Sequence, residues 1–283
     1  MILIADGGST KCDWLGVDCN GNIQLRAKTK GVNPSLLSKT KILKILQGSL
    51  ELSSNKNDIN KIYFYGAGCG FEEQQKALKE GFKKYFTKAN EITVKEDLAA
   101  AVHSCTKTPA IVCILGTGSN CCFYNGNEII TRMPPMGFTL MDDASGNFIG
   151  KQLLRAYYFN QMPEHLAHRF SMEYNPNPVK VKKKLYKKAN VNAYLSSFAR
   201  FLFDNIEEPF MKALLEDALK LFVKTHLMLF KEELKNYPVH FVGSIAFFAK
   251  EQIKELLKEQ GFIVGEFIQK PVYSLVNYHI SKK

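Results

Sequence analysis

The sequence predicts an α/β protein of two domains, each a mixed β-sheet flanked by helices. A strand–loop–strand–turn–strand module is written twice, at Ile2 to Thr29 and again at Ala110 to Arg132. After each copy, apolar strands are interleaved with helical patterns, as in sheets joined by crossover helices. The 283 residues suit two domains of ordinary size better than one. The expected division is 1–109, joined by a closing helix over 271–283, and 110–270. Two copies of one module imply two halves that face each other.

The first copy is an apolar run, the loop Asp6-Gly7-Gly8-Ser9-Thr10, a second apolar run, Asn20-Gly21 and a third strand. The second has Gly116-Thr117-Gly118-Ser119 and Asn125-Gly126 in the same places. The Asn-Gly pairs predict type I′ hairpin turns. No helix follows either loop, which argues against a dinucleotide fingerprint or a Walker A loop. Next comes the turn Gly31 to Ser35, where Pro34 holds Asn33 extended. An amphipathic helix is expected over Lys39 to Leu52, a buried strand ending in Gly66-Ala67-Gly68, and a helix over Glu72 to Phe86. A short strand then runs into a helix at Asp97. In the second half, Asp142 to Gly146 precede a helical pattern. Residues 150–235 read as mostly helical, broken near Asn175 to Pro178 and near Glu208-Pro209. VHFVGSIAFF is the last clear strand, and it breaks at Gly243-Ser244 into a helix over Phe247 to Gln260. A closing helix from Pro271 to Ser281 is expected to return to the first domain.

Composition narrows the function classes. Hydrophobic residues make up 46% of the chain, enough for real cores, yet no apolar stretch reaches bilayer length. Met1 leads straight into a strand, so a cytoplasmic, non-membrane protein is expected. The seven cysteines all fall in the first 122 residues without C-x-x-C spacing, and read as small hydrophobes in a reducing compartment. A net charge of +11 suits anionic partners. The lysine run Lys180, Lys182, Lys183, Lys184, Lys187 and Lys188 reads as a solvated helix face, and no nucleic-acid motif accompanies it. The histidines lack zinc spacing, and His240, inside a strand, reads as a core or cleft residue.

Glycines let a backbone approach a ligand closely, and exposed N–H groups with Ser/Thr hydroxyls make a concavity suited to phosphate oxygens. Two such loops in one context are stronger evidence than one, although ordinary hairpin turns would share the composition. Asp97, Asp142 and Asp143 each also fit the start of a helix, Asn33 a turn, and Lys11 a plain surface position.

The ordered motifs DGGSTK, GVNP, KEDLAAA, LGTGSN, MGFTLMDDASGNFIG and FVGSIA resemble the N-acetylglucosamine kinase branch of the BadF/BadG/BcrA/BcrD-type ATPases, within the actin, Hsp70 and hexokinase superfamily. The resemblance runs over nearly the whole chain. It implies a two-domain actin-like ATPase (ribonuclease H-like) fold with nucleotide in the interdomain cleft. By the same resemblance Gly7, Gly8, Ser9, Thr10 and Lys11, with Gly116, Thr117, Gly118 and Ser119, bind the ATP phosphates, and Gly243, Ser244 and Ala246 pack on the adenosine. Asn33, Asp97, Asn120, Gly137, Phe138 and Asp142 hold an amino sugar. Phosphoryl transfer asks chiefly for positioning and charge neutralisation. Asp6 is the candidate holder of hydrated Mg²⁺, and Asp97 the candidate general base. ATP and Mg²⁺ are the implied cofactors, a homodimer stays open, and nucleic acid and membrane are not expected partners.

The chain departs from the family where GWG and GDEGSG become Gly137-Phe138-Thr139 and Met141 to Gly146, and where Ser244 replaces a common glycine. The altered segment is where sugar specificity is expected to differ. Two other readings stand beside the kinase. One is an activator ATPase with a cysteine-bound iron–sulfur cluster, for which adjacent Cys121-Cys122 make a poor motif. The other is a weakly active sugar sensor, here without room for a DNA-binding segment before Ile2.

Overall fold

The structure, a computed structural model, describes residues 1–8, 10–187 and 190–280; Ser9 and Lys188 lie outside the described residues. The chain forms two compact units, Met1–Lys107 with Lys270–Lys283, and Thr108–Gln269.

In the first unit β1 (Ile2–Gly7), β2 (Lys11–Val17) and β3 (Ile23–Lys30) form an antiparallel meander. The helices α1 (Lys39–Gln47) and α2 (Leu50–Ser54) follow, then β4 (Lys61–Gly66), α3 (Glu72–Tyr85), β5 (Glu91–Glu96) and α4 (Asp97–Cys105). The sheet order is β3-β2-β1-β4-β5, with β1, β4 and β5 parallel. Alternation along the strands sends Leu3, Ala5, Cys12, Trp14, Ile62 and Phe64 to one face, where they join Phe82 and Leu78 of α3 in a single core. Trp14 packs edge-on against Phe82, with its indole N–H donating to Thr29. Asp6, Asp13, Tyr63 and Tyr65 therefore lie on the other face.

In the second unit β6 (Ala110–Leu115), β7 (Ser119–Tyr124) and the two-residue β8 (Ile129–Ile130) repeat the antiparallel meander. A helical stretch follows: α5 (Gly146–Tyr158), α6 (Glu164–Tyr174), α7 (Pro178–Lys187), α8 (Val191–Ser196), α9 (Ala199–Asp204) and α10 (Pro209–Thr225). Then come β9 (Val239–Val242), α11 (Ser244–Phe248), α12 (Lys250–Glu259) and β10 (Val264–Ile268). The order β10-β9-β6-β7-β8, with β6, β9 and β10 parallel, matches the first sheet strand for strand. The last helix, α13 (Pro271–Ile280), belongs to the first unit and packs on α4, β1 and β2. Among the described residues no helix is long and apolar enough to cross a membrane.

The structure corrects several local expectations. Neither Asn-Gly pair makes a type I′ turn, because only Gly21 and Gly126 take positive φ while Asn20 and Asn125 do not. Instead the side chain of Asp18 accepts from the N–H groups of Asn20 and Asn22, and that of Asn125 from Asn127 and Glu128. The helix expected over Lys39 to Leu52 breaks at Gly48, where Ser49 caps a new helix by accepting from the Leu52 N–H. The helix expected from Phe247 is split into α11 and α12 at Ala249. VHFV is not the last strand, since β10 follows it. Five cysteines, including Cys113, Cys121 and Cys122, are buried as thiols, as small core residues. His240 is buried, and its Nδ1 accepts from the Glu266 N–H where the β9–β10 register shifts.

Candidate functional site

In the first unit the candidates gather at the carboxyl ends of the parallel strands, the edge where α/β sheets bind ligands. Gly7, Gly66 and Glu96 are aligned by register at the ends of β1, β4 and β5. The β1–β2 turn closes through the Gly8 N–H donating to the Lys11 carbonyl at 2.9 Å. Thr10 is exposed beside it. Register sets Asp6 opposite Asp13, so both carboxylates share one face. Burial, then Asp13 and Asp97, push the Asp6 carboxyl up to about 7, with Lys11 partly offsetting them. Lys11 itself lies 3.7 Å from Asp13. Asp97 is not a helix cap: Glu96 occupies that position, and Asp97 is the first residue of α4, its Oδ1 accepting from the Leu98 N–H at 3.0 Å. Burial and Asp97 also raise the Glu96 carboxyl, and burial with Asp97 and Glu96 pushes the Cys69 thiol up to about 12.

Asn33 is buried against the loop after β4. Its Oδ1 accepts from the Ser35 N–H at 2.9 Å, while Ser35 donates to the Gly68 carbonyl. Gly68 has φ +78°, and a Cβ there would sit 2.0 Å from Asn33 Oδ1. The turn reading of Asn33 and its place beside the strand ends therefore hold together.

In the second unit three distant segments converge on the β6–β7 loop. The Gly116 N–H donates to the Gly118 carbonyl at 2.9 Å, which makes the turn. Asp142, buried and in the left-handed region at φ 67°, accepts from the Ser119 N–H at 3.2 Å and from Asn147 Nδ2 at 2.8 Å. The same Nδ2 donates to the Thr117 carbonyl at 2.7 Å. The N–H groups of Gly146 and Asn147, which begin α5, donate to the carbonyls of Gly116 and Thr117. Burial raises the Asp142 carboxyl, while the bonds from Asn147 and Ser119 hold the shift back. Neither Asp142 nor Asp143 caps a helix; Ser145 does, accepting from the Phe148 N–H.

The third segment arrives from β9. Gly243 has φ +117°, and a Cβ on it would lie 2.4 Å from the Leu115 carbonyl oxygen and 3.2 Å from the Gly116 nitrogen. Ser244 is exposed and Ala246 buried at the start of α11. The other candidates sit at the margins. Asn120 Oδ1 accepts from the Cys121 N–H, Gly137 turns the chain at φ +71°, and Phe138 packs its ring on the core of this unit.

Sequence reasoning missed Asp13 and Asn147. Asp13 was legible, because a hairpin turning at residues 8–11 places position 13 opposite position 6. Asn147 had no local signal, since its partners lie on another loop. Among the described residues no group of three or more His, Cys, Asp or Glu is arranged to hold a metal ion alone. Mg²⁺ asks for less, because it keeps several waters and needs only one or two carboxylates.

No protein-family model matches the chain, and no curated protein matches it. Among solved structures, the "Putative N-acetylglucosamine Kinase" of Porphyromonas gingivalis is 30% identical, with 99% of each chain covered and a TM-score of 0.92. The chain belongs to the same family, within the actin-like ATPases. Two more distant structures share the fold. The "Putative N-acetylglucosamine Kinase" of Chromobacterium violaceum is 14% identical over 99% of this chain and 98% of that one, with a TM-score of 0.70. The ROK family glucokinase of Streptomyces griseus, solved with glucose and AMPPNP, is 13% identical over 98% and 97%, with a TM-score of 0.60. The chain is thus similar in fold to these kinases over 98–99% of its length.

Proposed function

We propose that the chain is an ATP-dependent sugar kinase, transferring the γ-phosphoryl group of ATP to a hydroxyl, at carbon six by resemblance, of N-acetylglucosamine or a related amino sugar. The observation that carries this is the placement of Asp97, the first residue of α4, at the strand-end edge that also carries Asp6, close enough to raise its carboxyl. The similarity to the Porphyromonas protein and the nucleotide-bound Streptomyces glucokinase supports the same reading.

In this mechanism Asp97 accepts the proton of the attacking sugar hydroxyl. That oxygen forms a bond to the γ-phosphorus as the bond to the β,γ-bridging oxygen breaks, and ADP leaves. The phosphate loops Gly7 to Lys11 of the first unit and Gly116 to Ser119 of the second would meet phosphate oxygens through hydroxyls, the Lys11 ammonium and N–H groups other than those of Gly8, Gly116 and Ser119, which close or brace the loops themselves. Gly243, Ser244 and Ala246 receive the adenosine, and Asn33, Asn120, Gly137, Phe138 and Asp142 shape the sugar subsite. For Asp142 that role is indirect, because both its oxygens brace the 116–119 loop. Burial, Asp13 and Asp97 raise the proton affinity of Asp6, a setting that suits a cation held at Asp6 through water. Mg²⁺, when bound, would offset the charge of the phosphates.

The activator reading needs cysteines at an exposed surface, and Cys121 and Cys122 are both buried in β7. The kinase reading is tested by ADP release with and without sugar, comparing wild type with Asp97→Asn. It requires stimulation by an amino sugar and its collapse in the variant.

A further inference from the structure

The first unit holds a second cluster of chemistry-bearing side chains, in a cavity of about 410 Å³ between its sheet and α13. The cavity begins at Ile2, at the start of β1, about 17 Å along the strand from Gly7 at ~3.3 Å per residue. At its floor Tyr65 Oη lies 2.9 Å from His103 Nδ1 and 3.0 Å from His279 Nε2. One phenolic proton serves two ring nitrogens, so Tyr65 donates to one imidazole and accepts from the N–H of the other. Burial raises the Tyr65 phenol, so it remains a donor. Each ring is also clamped by stacking, His279 on Tyr63 at 3.8 Å and His103 on Tyr278 at 4.1 Å between centroids.

A latch for α13 would need only these rings. The cavity is lined in addition by Lys61 and Lys95. Glu91 offsets Lys61 at 2.6 Å and also accepts from Tyr63. Lys95 pairs with no carboxylate among the described residues and is exposed to the cavity mouth. An unpaired ammonium, a second one held nearby and two fixed imidazoles, around a space of ligand size, suit a dianionic oxygen group more than a neutral one.

We propose that this cavity is an anion site separate from the phosphate loops, taking the phosphoryl group of a small phosphate monoester. The proposal does not depend on the kinase reading. The test is an NMR titration of the full-length protein at fixed pH and ionic strength, following the ring C–H signals of His103 and His279, assigned through His103→Gln and His279→Gln. Inorganic phosphate, a hexose 6-phosphate and ADP are the three arms, with chloride as the control, each repeated on Lys95→Gln. Saturable movement of both rings by phosphate or the hexose phosphate, weakened about tenfold in a Lys95→Gln protein of unchanged Tm, is expected. Which of those two binds tighter distinguishes a free phosphate from a phosphorylated sugar. Rings that do not move, that move equally with chloride, that respond to ADP alone, or that respond equally in Lys95→Gln would overturn it.

Discussion

Asp6 shows how one side chain can be poor for stability and right for chemistry. Its carboxyl is pushed up to about 7, so in the metal-free folded chain it binds a proton that the unfolded chain has released. The stability this contributes is full below about pH 4 and is lost as pH rises through about 7. Asp6→Asn should therefore raise the Tm of metal-free protein at pH 8 and change it little near pH 4. The same variant should lose Mg·ATP turnover. Thermal melts in chelator at the two pH values, beside an ADP assay, check both halves. Asp97 carries the opposite expectation. Its Oδ1 accepts from the Leu98 N–H, an acceptor that asparagine keeps, so Asp97→Asn should hold its Tm while sugar-stimulated turnover falls by ~10²–10⁴, the usual contribution of a general base.

At the scale of elements, the β6–β7 loop is held from behind by α5, through Asp142 and Asn147, and pressed by the turn after β9. Asn147→Ala removes the amide that joins the buried Asp142 carboxylate to the Thr117 carbonyl, which keeps only the backbone bond from residue 147, at a cost of about 1–3 kcal/mol in unfolding free energy. If the loop binds phosphate, KM for ATP should rise more than kcat falls. Gly243→Ala meets the Leu115 carbonyl in a backbone region that favours glycine, and should cost about 2 kcal/mol or more by denaturant melts. Much of this level was legible in advance. The duplicated loop-and-turn module foretold two sheets of one topology, because turn residues and apolar runs encode hairpins locally. The break at Ser49 was missed because a serine inside an amphipathic stripe looks ordinary until it caps. Strand β10 was missed because Gly265 and Glu266 interrupt its apolar pattern, and its register shifts to admit His240. The brace on the 116–119 loop depends on Asp142 and Ala144 both standing in the left-handed region, which their residue types do not announce.

At the scale of the whole molecule, the positive charge suits the anionic nucleotide of the proposed reaction. A chain of net charge +11 should draw Mg·ATP less well as salt rises, so KM for ATP should increase between 50 and 500 mM salt (about an order of magnitude in ionic strength) while kcat holds. Sugar specificity is the level the sequence leaves least determined, since the altered segment 137–146 supplies Asp142 and Gly146 to brace the 116–119 loop, a role its residue types do not separate from the proposed sugar contact. The most direct measurement is ADP release from Mg·ATP across N-acetylglucosamine, glucosamine, N-acetylmannosamine, N-acetylmuramic acid, glucose and no sugar. A sugar kinase releases ADP far faster with at least one amino sugar, forms one sugar phosphate per ADP, and loses that response in Asp97→Asn. Equal ADP release with every sugar and with none would contradict it.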